Sequence, residues 1–349
     1  MSKLVISSIG PASSVQDGGR PGSQRYGLTP GGAIDRLALA AANTLVGNKP
    51  FAAAVEIGPF GASFTAREGA VRVALAGAPR NADIAKRAVA FDSSVTLADG
   101  ETLTLGFARG GSFSYLAIEG AVEGEPMFGS LSVNARAGLG SPYPRPLQAG
   151  DELKVAAASS VAERRINLPA PTGGPIRVVL GPQNDEFGNA AKSLFLDSDW
   201  KISPTSDRMG YRLEGPIIKH LHGHNIVSDG TVTGSIQVPG NGAPIVLMAD
   251  RGTSGGYPKI ATVISSDLGR FAQIPAGHTF RFKAVSMAEA QAEARKFAER
   301  LRNLSDRLGD IENFDLNLEA LHDANVAGCA VSAVDSATWQ VSPPADAVT

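Results

Sequence analysis

The sequence predicts a mostly β protein of barrels or sandwiches with few helices, and three observations carry that expectation. Its apolar runs are short and β-branched: Val71-Arg-Val-Ala-Leu75, Ile176-Arg-Val-Val-Leu180, Ile245-Val-Leu247 and Thr279-Phe-Arg-Phe282. Turn signals such as Asp99-Gly100 and Asn241-Gly242 fall between those runs. The 40 glycines and 22 prolines among 349 residues supply further breaks. Short strands separated by regular turns are the pattern of all-β folds.

Two stretches read as helices. One is Asp35 to Val46, between the helix-breaking Gly31-Gly32 and Gly47. The other is Met287 to Leu304, rich in Ala, Glu and Arg, with Ser286 as its N-cap. Beyond it the pattern weakens, and the end from Ser342-Pro-Pro onward is expected to be disordered.

Ala156 to Pro175, with small residues, two arginines and three prolines, reads as a linker. The halves on either side look alike. Asp99-Gly100 is followed by Arg109-Gly-Gly111 and Tyr115-Leu-Ala-Ile118; Asn241-Gly242 is followed by Arg251, Gly255-Gly256 and Ile260-Ala-Thr-Val263. The turn and the arginine stand ten residues apart in both. A tandem duplication of one β unit follows. The expected domains are residues 1–160 and 175–285, then a C-terminal helix and partly disordered tail over 286–349.

Composition removes several function classes. With 32 Lys+Arg against 34 Asp+Glu the net charge is −2, which gives no electrostatic case for nucleic acid or an anionic membrane. The single cysteine, Cys329, excludes an intrachain disulfide and a cysteine-cluster metal site. The N-terminal apolar run is too short for a signal peptide, and no stretch is long enough to span a bilayer. A cytoplasmic protein is expected.

Asp250 to Lys259, DRGTSGGYPK, is the most informative segment. It follows an apolar strand and packs an acid, a base and three glycines into ten residues. Aligned on the duplication, Asp250 corresponds to Ala108 and Lys259 to Ser114, so the charged version belongs to the second half alone. Glycines let a backbone approach a ligand closely. A lysine beside Tyr257-Pro258 is a compact cation for a developing oxyanion, and Asp250 could accept a proton from an amide. The competing reading is a structural Asp250–Arg251 turn with Lys259 pointing outward.

Other candidates are weaker. Gly252-Thr-Ser-Gly-Gly256 has the spacing of a serine-hydrolase elbow, but β-branched residues follow where a helix is required. His220, His222 and His224 could line one face of a strand as metal ligands, although Gly223 favours a solvated loop. Arg208 and Arg212, with Asp207 and Glu214, and Asp17 with Arg20, suit either a carboxylate ligand or local stapling of a loop.

Several motifs resemble one family: Val15-Gln-Asp-Gly-Gly-Arg-Pro-Gly22, Gly31-Gly-Ala-Ile-Asp35, Asn43-Thr-Leu-Val-Gly-Asn48, Gly181-Pro-Gln183, Ser206 to Gly215, Ser228-Asp-Gly230, Gly234-Ser-Ile-Gln-Val-Pro239 and Asp250 to Thr262. Together they are similar to the allophanate hydrolase subunit 2 family. That family covers the biotin-dependent carboxyltransferase half of urea carboxylase, the 5-oxoprolinase C-subunit and an antagonist of a sporulation-kinase inhibitor. The tail departs from it, with only an echo at Asn325-Val-Ala-Gly-Cys329.

The resemblance implies two tandem cyclophilin-like β-barrel subdomains and a subunit 1 partner that completes the active site. The activity it implies is transfer of a carboxyl group from carboxybiotin to an amide nitrogen of a urea-like substrate. Biotin would sit on a separate carrier, with a biotin carboxylase as further partner and ATP used by partner subunits. The alternatives are ATP-dependent lactam hydrolysis without biotin, as for the 5-oxoprolinase C-subunit, and non-catalytic binding of a kinase inhibitor. Carried onto this sequence, the resemblance marks Lys259, Asp250 and Gln237 as catalytic. It marks Tyr257, Gly255, Gly256, Arg208 and Asn43 as substrate-binding, and no residue as a metal ligand.

Overall fold

The computed structural model describes residues 2–169 and 173–311, and its strands form three large sheets. Strands from the first half make two of them, joined in one by a single C-terminal strand. A six-stranded sheet runs Glu152–Val155, Ser2–Ile9, Ala62–Arg67, Thr102–Leu105, Ala82–Ile84 and Arg87–Ala88. A seven-stranded sheet runs Ser14–Gln16, Ala54–Ile57, Ser114–Ile118, Val71–Gly77, Ser93–Leu97, Arg164–Ile166 and Leu308–Asp310. Between them lies a core of Leu4, Ile6, Phe64, Val73, Leu103 and their neighbours, all sealed from solvent. Each such side chain contributes about 1.5–3 kcal/mol on burial.

The second half forms one eight-stranded sheet that almost closes on itself. Its order is Thr279–Phe280, Trp200–Ile202, Gly210–Glu214, Ile245–Leu247, Ser235–Gln237, Lys259–Val263, Ile176–Leu180 and Phe282–Ala284. The two outermost strands are consecutive in the chain and are separated only by Arg281. One side of this passage pairs with Trp200–Lys201, and the other runs parallel to Ile176–Val178. The mostly β expectation holds.

Both expected helices form. Arg36–Leu45 is capped by Asp35, whose carboxylate accepts from the N–H groups of Leu37 and Ala38. Its Ala38 to Ala42 run is buried, and these small side chains join the core that includes Trp200, Phe195 and Phe271 of the second half. Met287–Arg302 carries a capping box in which Ser286 and Glu289 satisfy each other's backbone N–H groups. Among the described residues no helix is long and apolar enough to cross a membrane.

Three expectations need correction or limits. Ala156 to Pro175 is not a free linker throughout: Arg72 donates to the carbonyls of Val161 and Ala162, Ser159 binds Glu119, and Arg164–Ile166 joins the seven-stranded sheet. A guanidinium buried in the first half needs those carbonyls, so the segment is held. The likeness of the halves does not extend to strand pairing. Asn241-Gly242 joins neighbouring strands, whereas Asp99-Gly100 turns a corner between two sheets, because Gly100 and Glu101 are hydrogen-bonded to Ala66. The C-terminal part also returns to the first half, since Leu308–Asp310 pairs with Arg164–Ile166. The tail beyond residue 311, including Cys329 and the Asn325 echo, lies outside the described residues.

Candidate active site

Lys259 begins a strand in the middle of the eight-stranded sheet, opposite Gln237 on one side and hydrogen-bonded to the Gly181-Pro-Gln183 segment on the other. Its side chain is 1% exposed, so its ammonium is largely out of water. Desolvating a charge is costly unless it is paired. The pair is Asp229, whose Oδ2 lies 3.1 Å from Lys259 Nζ and whose own side chain is 53% exposed.

Gln183 locks this pair. Its Nε2 donates to Asp229 Oδ2 at 3.1 Å, and its Oε1 accepts from the Lys259 backbone N–H at 3.2 Å. Asp229 Oδ1 accepts from the Gly230 N–H. The Lys259 ammonium, then Gln183 and the Gly230 N–H, hold the Asp229 carboxyl below the usual carboxylate range. Asp229 stands on a two-stranded ribbon, Asp229–Gly230 against Ser254–Gly255, in register with Gly255.

Gln237 is 8% exposed, and its Nε2 has no hydrogen-bond partner. A buried amide donor without an acceptor is unusual and calls for a ligand or water. A Cβ placed on Gly255 would lie 2.3 Å from that nitrogen, so any larger residue there would push the amide out of its present position. Tyr257 is 40% exposed beside this site, and Gly256 accepts the Ile226 N–H through its carbonyl. The arrangement offers a buried ammonium and an unpaired amide N–H to an acceptor such as a carbonyl oxygen.

The corresponding position of the first half spends its hydrogen bonds internally. At Ser114, the residue aligned with Lys259, the hydroxyl donates to the Ala78 carbonyl and accepts from Arg80 Nε. Arg80 gives its remaining donors to the carbonyls of Phe60, Gly106 and Gly58. Burial pulls its pKa down to about 10.

Asp250 belongs to a different network. Both its oxygens accept from Arg208, at 2.9 and 3.1 Å. Arg208 also donates to Glu56 and to the Gly32 carbonyl, and Glu56 accepts from the Tyr115 hydroxyl and the Ile34 N–H. Burial opposes the charge on Arg208, but the Glu56 and Asp250 carboxylates outweigh it and raise its pKa. Burial, then Glu56, pushes the Tyr115 phenol well above its ordinary value. Arg208 thus passes over its local acids, Asp207 and Glu214, and bridges the two halves of the chain.

The structure brings Lys259, Gln237, Gly255 and Gly256 together, with Tyr257 at the edge. It sets Asp250 and Arg208 apart from them, in the bridging network. Asn43 departs from a substrate-binding role: it is fully buried, its amide N–H groups go to the carbonyls of Ala52 and Pro50, and its oxygen accepts from Asn48. Asp17 and Arg20 both bind the 130–132 segment, Asp17 through Ser130, Leu131 and Ser132, and Arg20 through the Ser132 carbonyl. Ser254 leads into no helix, so the hydrolase elbow is absent. His220 bonds the Val238 carbonyl and packs on Phe187, and His222 and His224 are exposed. Among the described residues no group of three His, Cys, Asp or Glu side chains is placed to hold a metal.

Sequence reasoning missed Asp229 and Gln183 as site residues. Both sit in family-like motifs, yet their link to Lys259 is made by sheet register and leaves no local spacing to read.

Comparison with known proteins agrees with this architecture. Residues 26–284 match the family described as carboxyltransferase domain, subdomain A and B. The chain is 38% identical over 288 residues to the 5-oxoprolinase C-subunit of Escherichia coli K12, covering 82% of this chain and 93% of that protein. The solved structure of TTHA0988 superposes with a TM-score of 0.73 at 32% identity, covering 81% of this chain and 56% of that one. The K. lactis urea amidolyase superposes with a TM-score of 0.80 at 25% identity, covering 88% of this chain but only 21% of that one. This chain therefore spans about a fifth of the amidolyase and little more than half of TTHA0988. It belongs to the carboxyltransferase-domain family and is similar to both the 5-oxoprolinase C-subunit and urea amidolyase.

Proposed function

We propose that this chain is the carboxyltransferase-domain subunit of an ATP-driven, lactam-opening enzyme of the 5-oxoprolinase type, working with a subunit 1 homologue. The observation that carries this reading is the pair of donors on neighbouring strands, the buried Lys259 ammonium and the unpartnered Gln237 Nε2. A lactam carbonyl is an acceptor of the kind Gln237 Nε2 lacks, and the ammonium, already paired with Asp229, has further N–H donors to give it. As an amide is attacked its oxygen gains negative charge, and each preorganised donor aimed at that charge is worth about 3 kcal/mol. Asp229 and Gln183 hold the ammonium in place, while Gly255 and Gly256 leave room for the ring and Tyr257 flanks it. ATP is consumed by the partner subunits.

Asp250 acts in this reading as a positioning residue, since both its oxygens are bound by Arg208. In lactam opening the attacking water loses a proton and the ring nitrogen gains one as the C–N bond breaks, and the group that moves these protons comes from the partner. The choice of lactam over urea rests on identity, 38% with the 5-oxoprolinase C-subunit against 25% with the urea amidolyase.

The second reading, carboxyl transfer to a urea nitrogen, is supported by the TM-score of 0.80 to urea amidolyase. Biotin when bound on its carrier supplies the carboxyl group for that reaction, and a biotin carboxylase and carrier would be the further partners. The ureido ring of biotin and the γ-lactam of 5-oxoproline are both five-membered rings containing N–C=O, so Lys259 and Gln237 fit either.

The test is co-expression with the neighbouring subunit homologues, followed by ATP turnover with 5-oxoproline or with urea and a biotin carrier. ATP turnover stimulated by 5-oxoproline without biotin is the expected result. Stimulation by urea alone, dependent on the carrier, would establish the second reading instead.

A further inference from the structure

We infer that Gln24, far upstream in the first half, is a positioning residue that latches the ribbon carrying Asp229 and so holds the Asp229–Lys259 pair together. Asp229 is more than half exposed and stands on a ribbon only two residues long on each strand, separate from the eight-stranded sheet that holds Lys259. Such a short ribbon does not hold its own geometry in water. Its far end, however, is pinned from outside.

Gln24 lies on the short helical turn Ser23–Tyr26. Its Nε2 donates to the carbonyl of Thr231 at 2.9 Å and to that of Thr253 at 3.2 Å, one on each strand-end of the ribbon. Its Oε1 accepts from Arg251 Nη2 at 3.0 Å. Arg251 is 2% exposed and also donates to the Thr231 carbonyl and the Thr233 hydroxyl. Burial lowers its pKa, and its hydrogen bonds to Gln24, Thr231 and Thr233 are what compensate the buried guanidinium. The Thr231 hydroxyl bonds the Gly252 carbonyl, and its N–H bonds the Thr253 carbonyl. One amide side chain therefore fastens both strands and the arginine beneath them, two residues from Asp229 and two from Gly255.

The residues after Gln24 are exposed, and Tyr26 lies under the Arg25 guanidinium and 6.4 Å from the Phe128 ring. Anything that moves this turn pulls on the ribbon through Gln24.

Two readouts separate the latch from the function proposed above, on which only the second depends. In the first, the full chain is pulse-acetylated with acetic anhydride, and modification of Lys259 is followed by mass spectrometry against exposed Lys283. Gln24→Ala is expected to raise the Lys259 rate at least about fivefold, with Lys283 unchanged and the melting temperature close to wild type. Gln24→Glu keeps an acceptor for Arg251 but loses both donors to the ribbon, and is expected to behave like Gln24→Ala. In the second readout, the assembled complex carrying Gln24→Ala loses kcat about tenfold or more, with a smaller change in KM. A Lys259 acetylation rate equal to wild type in both folded variants would overturn the latch, whatever the substrate proves to be. A raised Lys259 rate in the variants, together with a wild-type complex that is inactive with 5-oxoproline, would leave the latch standing and remove the lactam reading.

Discussion

Lys259 Nζ lies 3.1 Å from Asp229 Oδ2, yet the ammonium is buried and the carboxylate is half in solvent. The cation is thus fixed by the sheet, and its counter-charge is brought to it from the surface. Asp229→Asn leaves the ammonium buried without a compensating charge. In the assembled enzyme this variant is expected to lose about tenfold or more in kcat, as for removal of a group that orients a catalytic charge. Steady-state kinetics on the complex, with the melting temperature as a folding control, measure it.

Gly255 lies against Gln237. Gly255→Ala places a methyl group 2.3 Å from Gln237 Nε2 and forces the amide aside. The expected outcome is a loss of activity comparable to Gln237→Ala. Gly223→Ala, where nothing lies within 4 Å, serves as the neutral control. Equal activity in all three variants would separate Gln237 from the reaction.

Arg208 joins Glu56 of the first half to Asp250 of the second. Removing one member of a buried ion network leaves the others uncompensated, at about 3–5 kcal/mol. Arg208→Ala is expected to destabilise the chain by that amount in denaturant unfolding. An unchanged midpoint would mean that the bridge contributes nothing to stability.

Asp92 is titrated by its surroundings in the opposite sense to Asp229. Burial raises its pKa from 3.8 to about 6, and its Oδ1 has no partner. The unfolded chain releases this proton near pH 4 and the folded chain near pH 6, so the fold loses stability as pH rises between them. Because solvent still reaches part of the group, the effect is about 1 kcal/mol. Asp92→Asn, which also suits the left-handed backbone there (φ 54°), is expected to raise the melting temperature at pH 8 and leave it unchanged at pH 4. Paired thermal melts at the two pH values check this.

Much of the fold was legible because its signals are local. Gly31-Gly32 and Gly47 bounded the first helix, Ser286 announced the last one as its cap, and Gly-rich turns bounded the strands. The helix Asn189–Asp197 went unread because Gly188 gives it no side-chain cap and only Phe195 is buried. As for the candidate site, Lys259 drew notice through its Gly-rich, charged segment and Gln237 only through the family resemblance, and the structure pairs the two across neighbouring strands. Asp229 and Gln183 were not legible, since sheet register over long sequence separations brings them in. Asp250 stands apart from Lys259 for the same reason. It is nine residues from Lys259 in the chain, but the turn through Gly252 and Gly256 sends the two side chains into separate networks.

The most direct measurement is turnover of 5-oxoproline by the assembled complex carrying Lys259→Met. The methionine fills the buried stem without its charge, so the fold and the assembly are retained. A fall of at least about a hundredfold in kcat is expected from losing an oxyanion donor of this kind. Turnover equal to wild type would contradict the assignment of Lys259 to the reaction.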